Sequence, residues 1–226
     1  MLSLIVFLGN PGPGYRNNRH NAGRLLAERL PFFNALGWQK KFKALYGVKA
    51  RESGAAGFGA GPDRIHFIMP ETYMNLSGEA VQKAAGFYKL DPPRIMAVHD
   101  ELELPLGTIS LKYAGGLGGH NGLRSIKAHL GSADFWRLRI GIGRPPGRLP
   151  GEGGPPGSGG DVTGWVLADF TAAETPALDA ALEGGAELLI RALAAEPESI
   201  LGEWSRKKLY PVSGAAAKTN RVVENP

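Results

Sequence analysis

Apolar residues follow two spacings along this chain, and the two spacings predict strands and helices in alternation. Short apolar runs rich in β-branched residues predict strands at Leu2–Leu8, Leu45–Arg51, Ile65–Met69, Ile95–His99, Thr108–Tyr113 and Leu138–Ile142. Apolar residues three and four positions apart predict helices at about residues 22–30, 77–89, 121–130 and 172–195. Because strands alternate with helices, we expect an α/β fold.

Three segments do not fit either spacing. Residues Ser53–Asp63 are glycine-rich and unperiodic, which predicts a surface loop between strands. In Gly143–Gly160, thirteen of eighteen residues are Gly or Pro, so this insertion is expected to be either a mobile flap or inert. We assign residues 1–196 to one catalytic domain and residues 197–226 to a basic tail, which is either disordered or an arm on RNA.

Composition narrows the classes of function. The 226 residues include no cysteine, which excludes disulfides, thiolate nucleophiles and Cys-ligated zinc, and is compatible with a reducing cytoplasm. No stretch of eighteen apolar residues and no basic leader is present, so we expect neither a membrane span nor secretion. A net charge of +5 favours a polyanionic partner such as RNA, although such a surplus also serves solubility.

Four polar clusters follow predicted strands. The first runs from Asn10 to His20, the second is Pro70–Gly78, the third is Val98–Gly107 with Asp100 at the end of its strand, and the fourth is Gly115–Gly122. Ligands in open α/β sheets bind outside the carboxyl ends of the strands, so we expect the four clusters to meet in one site.

His20 and Asp100 are the residues with the clearest chemistry. A neutral imidazole accepts a proton from water, and a carboxylate on its other nitrogen fixes the tautomer and stabilises the imidazolium. A structural histidine is the alternative for His20, and His99 is expected in the core. The chain has no Gly-x-Ser-x-Gly elbow, no His-Glu-x-x-His metal motif and no dinucleotide or P-loop fingerprint.

Ser77 is a candidate helix cap, and for Asn75 and Asn121 capping is an alternative to binding a ligand. Ser77 and Asn121 are placed to cap the helices that follow them. The carboxamide of Asn75 either caps its loop or both donates to and accepts from a peptide or base edge.

With these clusters, the chain resembles bacterial peptidyl-tRNA hydrolases. The resemblance covers about residues 1–195 and rests on five ordered motifs, which are LGNPG and RHNAG within residues 8–23, PxTxMNLSG at 70–78, HDELxLPxG at 99–107, GGxGGHNGL at 115–123 and RLRIGIGRP at 137–145. It implies a single domain with a twisted mixed sheet flanked by helices. It also implies a cytoplasmic, monomeric enzyme that hydrolyses the ester between a peptide and the 3′ ribose of tRNA, with no metal or other cofactor.

The resemblance also implies roles for individual residues. His20 would be the catalytic base, Asp100 its carboxylate partner and Asn10 a positioning residue. The remaining implied contacts are Tyr15, Met74, Asn75 and Asn121 for the peptide and the terminal CCA, and Lys112 and Arg139 for the tRNA backbone.

The chain departs from the family pattern at several places. Leu117 stands where the family often has His, and Ser110 stands where another lysine often precedes Lys112. The alternatives are a non-catalytic RNA-binding protein on the same scaffold, and a nucleoside or small-ester enzyme with a similar fold. Intact His20, Asp100 and Asn10 argue against the first, and no motif supports the second.

Overall fold

The computed structural model describes residues 1–51, 64–145 and 161–210, and these residues form one sheet of eight strands with helices on both faces. The strands are β1 (Leu4–Phe7), β2 (Gln39–Lys41), β3 (Ala44–Ala50), β4 (Arg64–Pro70), β5 (Ile95–Glu101), β6 (Thr108–Tyr113), β7 (Trp136–Gly141) and β8 (Lys207–Lys208). The helices are α1 (Ala22–Glu28), α2 (Ser77–Tyr88), α3 (Asn121–Leu130), α4 (Val162–Leu167), α5 (Thr175–Ala194) and α6 (Leu201–Trp204). Short 3₁₀ turns occur at Pro13–Tyr15, Arg19–Asn21, Asn34–Leu36, Met74–Leu76, Pro92–Arg94 and Pro197–Ile200.

The described part of the sheet has the strand order β2-β3-β4-β1-β5-β7-β6-β8. The four central strands β4, β1, β5 and β7 are parallel, and antiparallel strands flank them on both sides. The prediction of an α/β fold with a mixed sheet is therefore confirmed. Parallel central strands place the carboxyl ends of β1, β4 and β5 at one edge, which brings the first three polar clusters together.

Two apolar clusters hold the helices to the two faces. On one face, α1 and α5 pack through Leu26, Leu182 and Leu189 against Phe7, Val98 and other strand residues. On the other face, α2 and α3 pack through Val81 and Ile126 against the alternate residues of the same strands. The central strands are buried on both faces, and this explains why they appear in the sequence as continuous apolar runs.

All six predicted strands and all four predicted helices are present, with ends that differ by at most three residues. Sequence analysis missed β2 and β8, which are polar, exposed and two or three residues long. It also missed α4 and α6, which are too short to show a helical period.

The fourth cluster reaches the site by a different route from the first three. β6 runs antiparallel to β7, and its last residue Tyr113 pairs with Trp136 at the beginning of β7. The glycine loop after β6 therefore starts at the opposite edge of the sheet. Its carbonyls at Gly115 and Gly116 accept hydrogen bonds from Arg137, and the loop then returns to the site edge at Gly118, close to Glu101.

The first part of the predicted tail packs on the domain. Trp204 is fully buried in the larger apolar cluster, and Leu209 packs against the same cluster. The packed chain thus continues past residue 197. The predictions for Ser53–Asp63, for residues 146–160 of the insertion and for the tail beyond residue 210 lie outside the described residues. None of the helices in the described ranges combines the length and the hydropathy that a membrane span requires.

Gly23 allows α1 to approach the strand ends closely. A Cβ atom there would lie 2.7 Å from the backbone oxygen of Leu8 and would also collide with the backbone oxygen of Val98. Backbone atoms at strand ends cannot move away without disturbing the sheet. Glycine at this position therefore lets the turn that carries His20 lie against the carboxyl ends of β1 and β5.

We expect Gly23→Ala to lower the free energy of unfolding by about 1–3 kcal/mol, because the new methyl group overpacks a rigid backbone contact. Gly86→Ala is the matched control in α2, where a Cβ has no neighbour within 4 Å. It should raise stability by about 0.5–1 kcal/mol through helix propensity. Urea unfolding measures both, and equal effects of the two variants would contradict the close approach at Gly23.

Candidate active site

The structure brings His20 and Asp100 into contact, although eighty positions of sequence separate them. His20 lies in the 3₁₀ turn after β1, and Asp100 lies near the carboxyl end of the neighbouring β5. The Nδ1 atom of His20 is 2.9 and 3.0 Å from the two carboxylate oxygens of Asp100. Both side chains are buried, with 9% of His20 and 3% of Asp100 exposed.

A second histidine, His120, also contacts Asp100. Its Nε2 atom is 3.0 Å from Oδ1 of Asp100, and its Nδ1 atom accepts from the backbone N–H groups of Gly122 and Leu123 at 3.1 and 3.4 Å. Because Nδ1 is an acceptor, the ring carries a proton on Nε2, which donates to Asp100. His120 is therefore both the N-cap of α3 and a partner of the buried carboxylate.

Sequence analysis missed His120 and assigned the cap to Asn121. That assignment is wrong, because Asn121 is the first residue of α3, is exposed and accepts a hydrogen bond from Arg124. Histidine is not among the usual capping residues, so composition favoured the asparagine. The predicted cap at Ser77 is also wrong, since α2 begins at Ser77 and its hydroxyl is directed at the Met74 sulfur, 4.0 Å away.

The two histidines control the ionisation of Asp100. Burial disfavours the charged carboxylate, but the histidines that face it hold the pKa of Asp100 well below its usual range. Burial likewise lowers the pKa of His20, whereas the charge of Asp100 and the hydrogen bond to it raise it, and the net shift is upward from 6.5. Asp100 is thus ionised at neutral pH and favours a proton on His20.

This pairing leaves one nitrogen of His20 free for chemistry. With Nδ1–H donating to Asp100, the lone pair of the neutral ring is on Nε2, and this atom has no hydrogen-bond partner among the described residues. A nitrogen in this state accepts a proton from a water molecule that attacks an electrophile. His99, in contrast, is 1% exposed and lies in the core as predicted, where burial holds its pKa well below 6.5.

The ligand atoms of His20, Asp100 and His120 lie within 4.8 Å of one another, a spacing that also suits a metal ion. The hydrogen bonds to His120 disfavour that alternative. A metal on Nε2 of His120 would move the proton to Nδ1, where it would face the two N–H groups of Gly122 and Leu123. The donor set therefore fits a hydrogen-bonded triad better than a metal centre.

Asn10 connects the first cluster to the second. Its backbone N–H donates to the Asn21 side chain at 2.8 Å, and its Oδ1 accepts from the backbone N–H of Met74 at 2.8 Å. Because Oδ1 is used in this way, the orientation of the carboxamide is fixed. Its Nδ2 group has no partner among the described residues and remains a donor toward the cavity beside His20.

The residues of the triad open onto a cavity of about 650 Å³. Seven of the predicted site residues line it, and these are Asn10, Tyr15, His20, Met74, Asn75, Asp100 and Asn121. Three side chains of α4, which the sequence did not predict, form an apolar wall, and these are Val162, Val166 and Leu167. The cavity thus has a charged end at Asp100, amide groups on its sides and one apolar wall.

The two predicted tRNA contacts lie outside this cavity. Arg139, on β7, donates to Ser110 Oγ at 2.7 Å and lies 3.5 Å from the carboxylate of Glu101, which itself lines the cavity. Lys112 lies on β6 in the register opposite Arg137. Leu117, where the family often has His, packs against the smaller apolar cluster.

Arg19, the residue before His20, holds α4 in place. Its guanidinium donates to both carboxylate oxygens of Glu174 at 3.0 and 2.8 Å and to the backbone oxygen of Asp169 at 2.7 Å. It also lies 3.8 Å from the ring centre of Trp165. Since Arg19 is only 3% exposed, this one side chain fixes the apolar wall relative to the turn that carries His20.

Comparisons with known proteins identify the family of this chain. The model of the peptidyl-tRNA hydrolase family matches residues 4–211. The chain is similar to a crystal structure of peptidyl-tRNA hydrolase in complex with N-propanol and to that of peptidyl-tRNA hydrolase from Acinetobacter baumannii, each with 34% identity, a TM-score of 0.69, and coverage of 90% of this chain and 96% of the other. An arginine-to-glutamine variant from Acinetobacter baumannii matches at 34% identity and a TM-score of 0.68, with coverage of 89% and 91%.

The ionisation of His20 is testable by NMR. We expect its imidazole to titrate above 6.5 in the wild type. In Asp100→Asn the pKa should fall below 6.5, because the raising effects of the carboxylate are removed and burial remains. Proton and nitrogen spectra of the rings across a pH series measure this shift, and they should show His120 with its proton on Nε2. An unchanged His20 pKa in Asp100→Asn would contradict the coupling.

The role of Arg19 is testable by its stability. Arg19→Met leaves Glu174 without its cation in a partly buried place, so we expect a loss of about 2–4 kcal/mol in the free energy of unfolding. Arg29→Met is the matched control, because Arg29 pairs with Asp179 and both side chains are 40% exposed. The control should cost less than about 1 kcal/mol. Similar losses of stability in the two variants would show that the ion pair of Arg19 with Glu174 contributes no more than an exposed ion pair.

Proposed function

Because the chain belongs to the peptidyl-tRNA hydrolase family, we propose that it hydrolyses the ester between a peptide and the 3′-terminal ribose of tRNA with water activated by His20. The observation that carries this assignment is the His20–Asp100 hydrogen bond at the edge of a cavity of about 650 Å³. The products are free tRNA and a peptide with a free carboxylate.

The reaction proceeds in two steps. Nε2 of His20 takes a proton from water while the water oxygen bonds to the ester carbonyl carbon, and Asp100 stabilises the imidazolium that forms. The bond from the carbonyl carbon to the ribose oxygen then breaks. The leaving 3′ oxygen takes the proton back from His20, so the enzyme returns to its starting state.

Asn10 is proposed to stabilise the oxyanion. Its Nδ2 group faces the cavity and its orientation is fixed by the Met74 N–H, so little reorganisation is needed as charge develops on the carbonyl oxygen. An ester needs only modest activation of water, and a base, its carboxylate and one amide donor meet that need without a metal or other cofactor.

The chemistry of the cavity walls suits a peptide better than a free amino acid. Asn75 and Asn121 donate to and accept from peptide groups, and Tyr15, Met74 and the α4 wall contact apolar side chains. A charged α-amino group next to the ester would lose its hydration on this apolar wall. These features support hydrolysis of peptidyl-tRNA with discrimination against aminoacyl-tRNA.

Binding of the tRNA backbone is assigned to Lys112 and Arg139. They would contact phosphates without reading sequence, which gives affinity that falls with salt and tolerates different tRNAs. We further propose that the protein acts as a monomer in the cytoplasm, a reducing compartment with which the lack of cysteine is compatible.

Release of N-blocked amino acid from tRNA, measured for wild type, His20→Ala and Asp100→Ala, tests the proposal. His20→Ala should lose nearly all turnover, and Asp100→Ala should lose one to two orders of magnitude or more. The wild-type rate should fall as the pH drops through the raised pKa of His20, since the protonated ring is no base. A chelator should leave the rate unchanged.

His129→Ala is the control histidine variant, because His129 lies at the carboxyl end of α3 and contacts the backbone of Ser125 outside the cavity. It should retain the wild-type rate. Full activity in His20→Ala would overturn the mechanism. A wild type that binds tRNA but releases no peptide would favour the RNA-binding alternative.

A further inference from the structure

The carboxyl-terminal strand β8 lengthens the sheet beside the residues assigned to tRNA. It pairs antiparallel with β6, with Lys208 opposite Thr108 and Lys207 opposite Ile109, and Leu209 donates its N–H to Gly107 at 2.8 Å. Directly opposite residues in an antiparallel pair share one face. Lys208 therefore shares the face of Thr108, Ser110 and Lys112, whereas Lys207 is on the core side with Leu209.

The face of Lys208 is the one that carries Arg139. Ser110 is the register partner of Arg139, and the two side chains are hydrogen bonded. Neighbouring strands lie about 4.8 Å apart, so the row from β7 through β6 to β8 spans about 10 Å. This is a distance over which successive phosphates of one nucleic-acid strand contact a protein surface.

Ser110 shows how β8 and the segment before it change this surface. The side chain is fully buried, and its hydroxyl donates to the backbone oxygen of Ser205. The chain before β8 thus covers the point where the family often has a lysine. Arg206 follows directly and is exposed, so a cation is present next to the position that Ser110 leaves uncharged.

The cations near β8 differ in whether an acidic group neutralises them. Lys207 and Arg191 share the carboxylate of Glu203, at 3.1 and 2.7 Å. Within residues 1–51, 64–145 and 161–210, Lys112, Arg206 and Lys208 have no carboxylate within 4.0 Å. Lys112, Arg206 and Lys208 are therefore three unneutralised cations on or next to the paired strands β6 and β8.

We propose that Arg206 and Lys208 bind backbone phosphates of the tRNA and, with Lys112 and Arg139, form one basic strip across β7, β6 and β8. The proposal rests on the proposed function, because it takes tRNA as the polyanion. Ser110 leaves its position on β6 without a positive charge, and Arg206 supplies a positive charge next to it. Because phosphates are its ligands, it adds affinity without sequence preference.

Binding of deacylated tRNA across a salt series tests the strip in Arg206→Gln/Lys208→Gln. Affinity should fall several-fold at low salt, and the slope of log affinity against log salt should decrease by about two, one for each lost phosphate contact. With N-blocked aminoacyl-tRNA, KM should rise while kcat is retained, because neither residue touches the cavity. Arg206→Lys/Lys208→Arg should keep the wild-type slope.

Lys83→Gln/Lys89→Gln is the matched control, since it removes two exposed lysines at α2 over the other half of the sheet. It should leave both slope and KM unchanged. An unchanged slope in the β8 variant, or an equal decrease in the control, would overturn the strip. Deacylated tRNA carries no ester, so its binding is independent of whether the wild type releases peptide. The release assay tests the proposed function separately.

Discussion

A buried carboxylate that accepts hydrogen bonds from two imidazoles is the constraint on which the site depends. Asp100 is almost fully buried, and an ionised carboxylate without partners in such a place is very costly. His20 and His120 supply the partners from two different loops, one after β1 and one before α3. The same contacts that stabilise the charge therefore also fix the loops that surround the cavity.

The second imidazole gives the site a definite arrangement of protons. Backbone N–H groups at the beginning of α3 hold His120 in one tautomer, and that tautomer donates to Asp100. Asp100 in turn determines that His20 carries its Nδ1 proton and presents Nε2 to the cavity. A helix terminus, a carboxylate and the imidazole of His20 are thus connected by hydrogen bonds of fixed direction, so these groups are already oriented before any substrate binds.

Much of this site follows from sequence because its residues lie next to strong local signals. The buried parallel strands are continuous apolar runs, so the position of Asp100 at a strand end and of His20 after a strand was predictable, and their meeting followed from the parallel order. His120 was not predictable in the same way, because its role depends on a loop that crosses from the far edge of an antiparallel strand. The α4 wall was missed because Val162–Leu167 is short, and what holds it is the long-range contact between Arg19 and Glu174. Contacts between residues so far apart in the sequence produce no periodic pattern from which they could be predicted.

Both outer strands of the described sheet are short and rich in lysine. β2 carries Lys40 and Lys41, and β8 consists of Lys207 and Lys208. An edge strand offers unpaired backbone N–H and C=O groups with which another chain could pair. Neighbouring lysines on a short edge strand oppose such pairing through charge repulsion. β8 pairs with Thr108 and Ile109 of the longer and more apolar β6, so the backbone groups of β6 at these two positions are not open to other chains. The lysines of β8 therefore oppose strand pairing by other chains at this side of the described sheet.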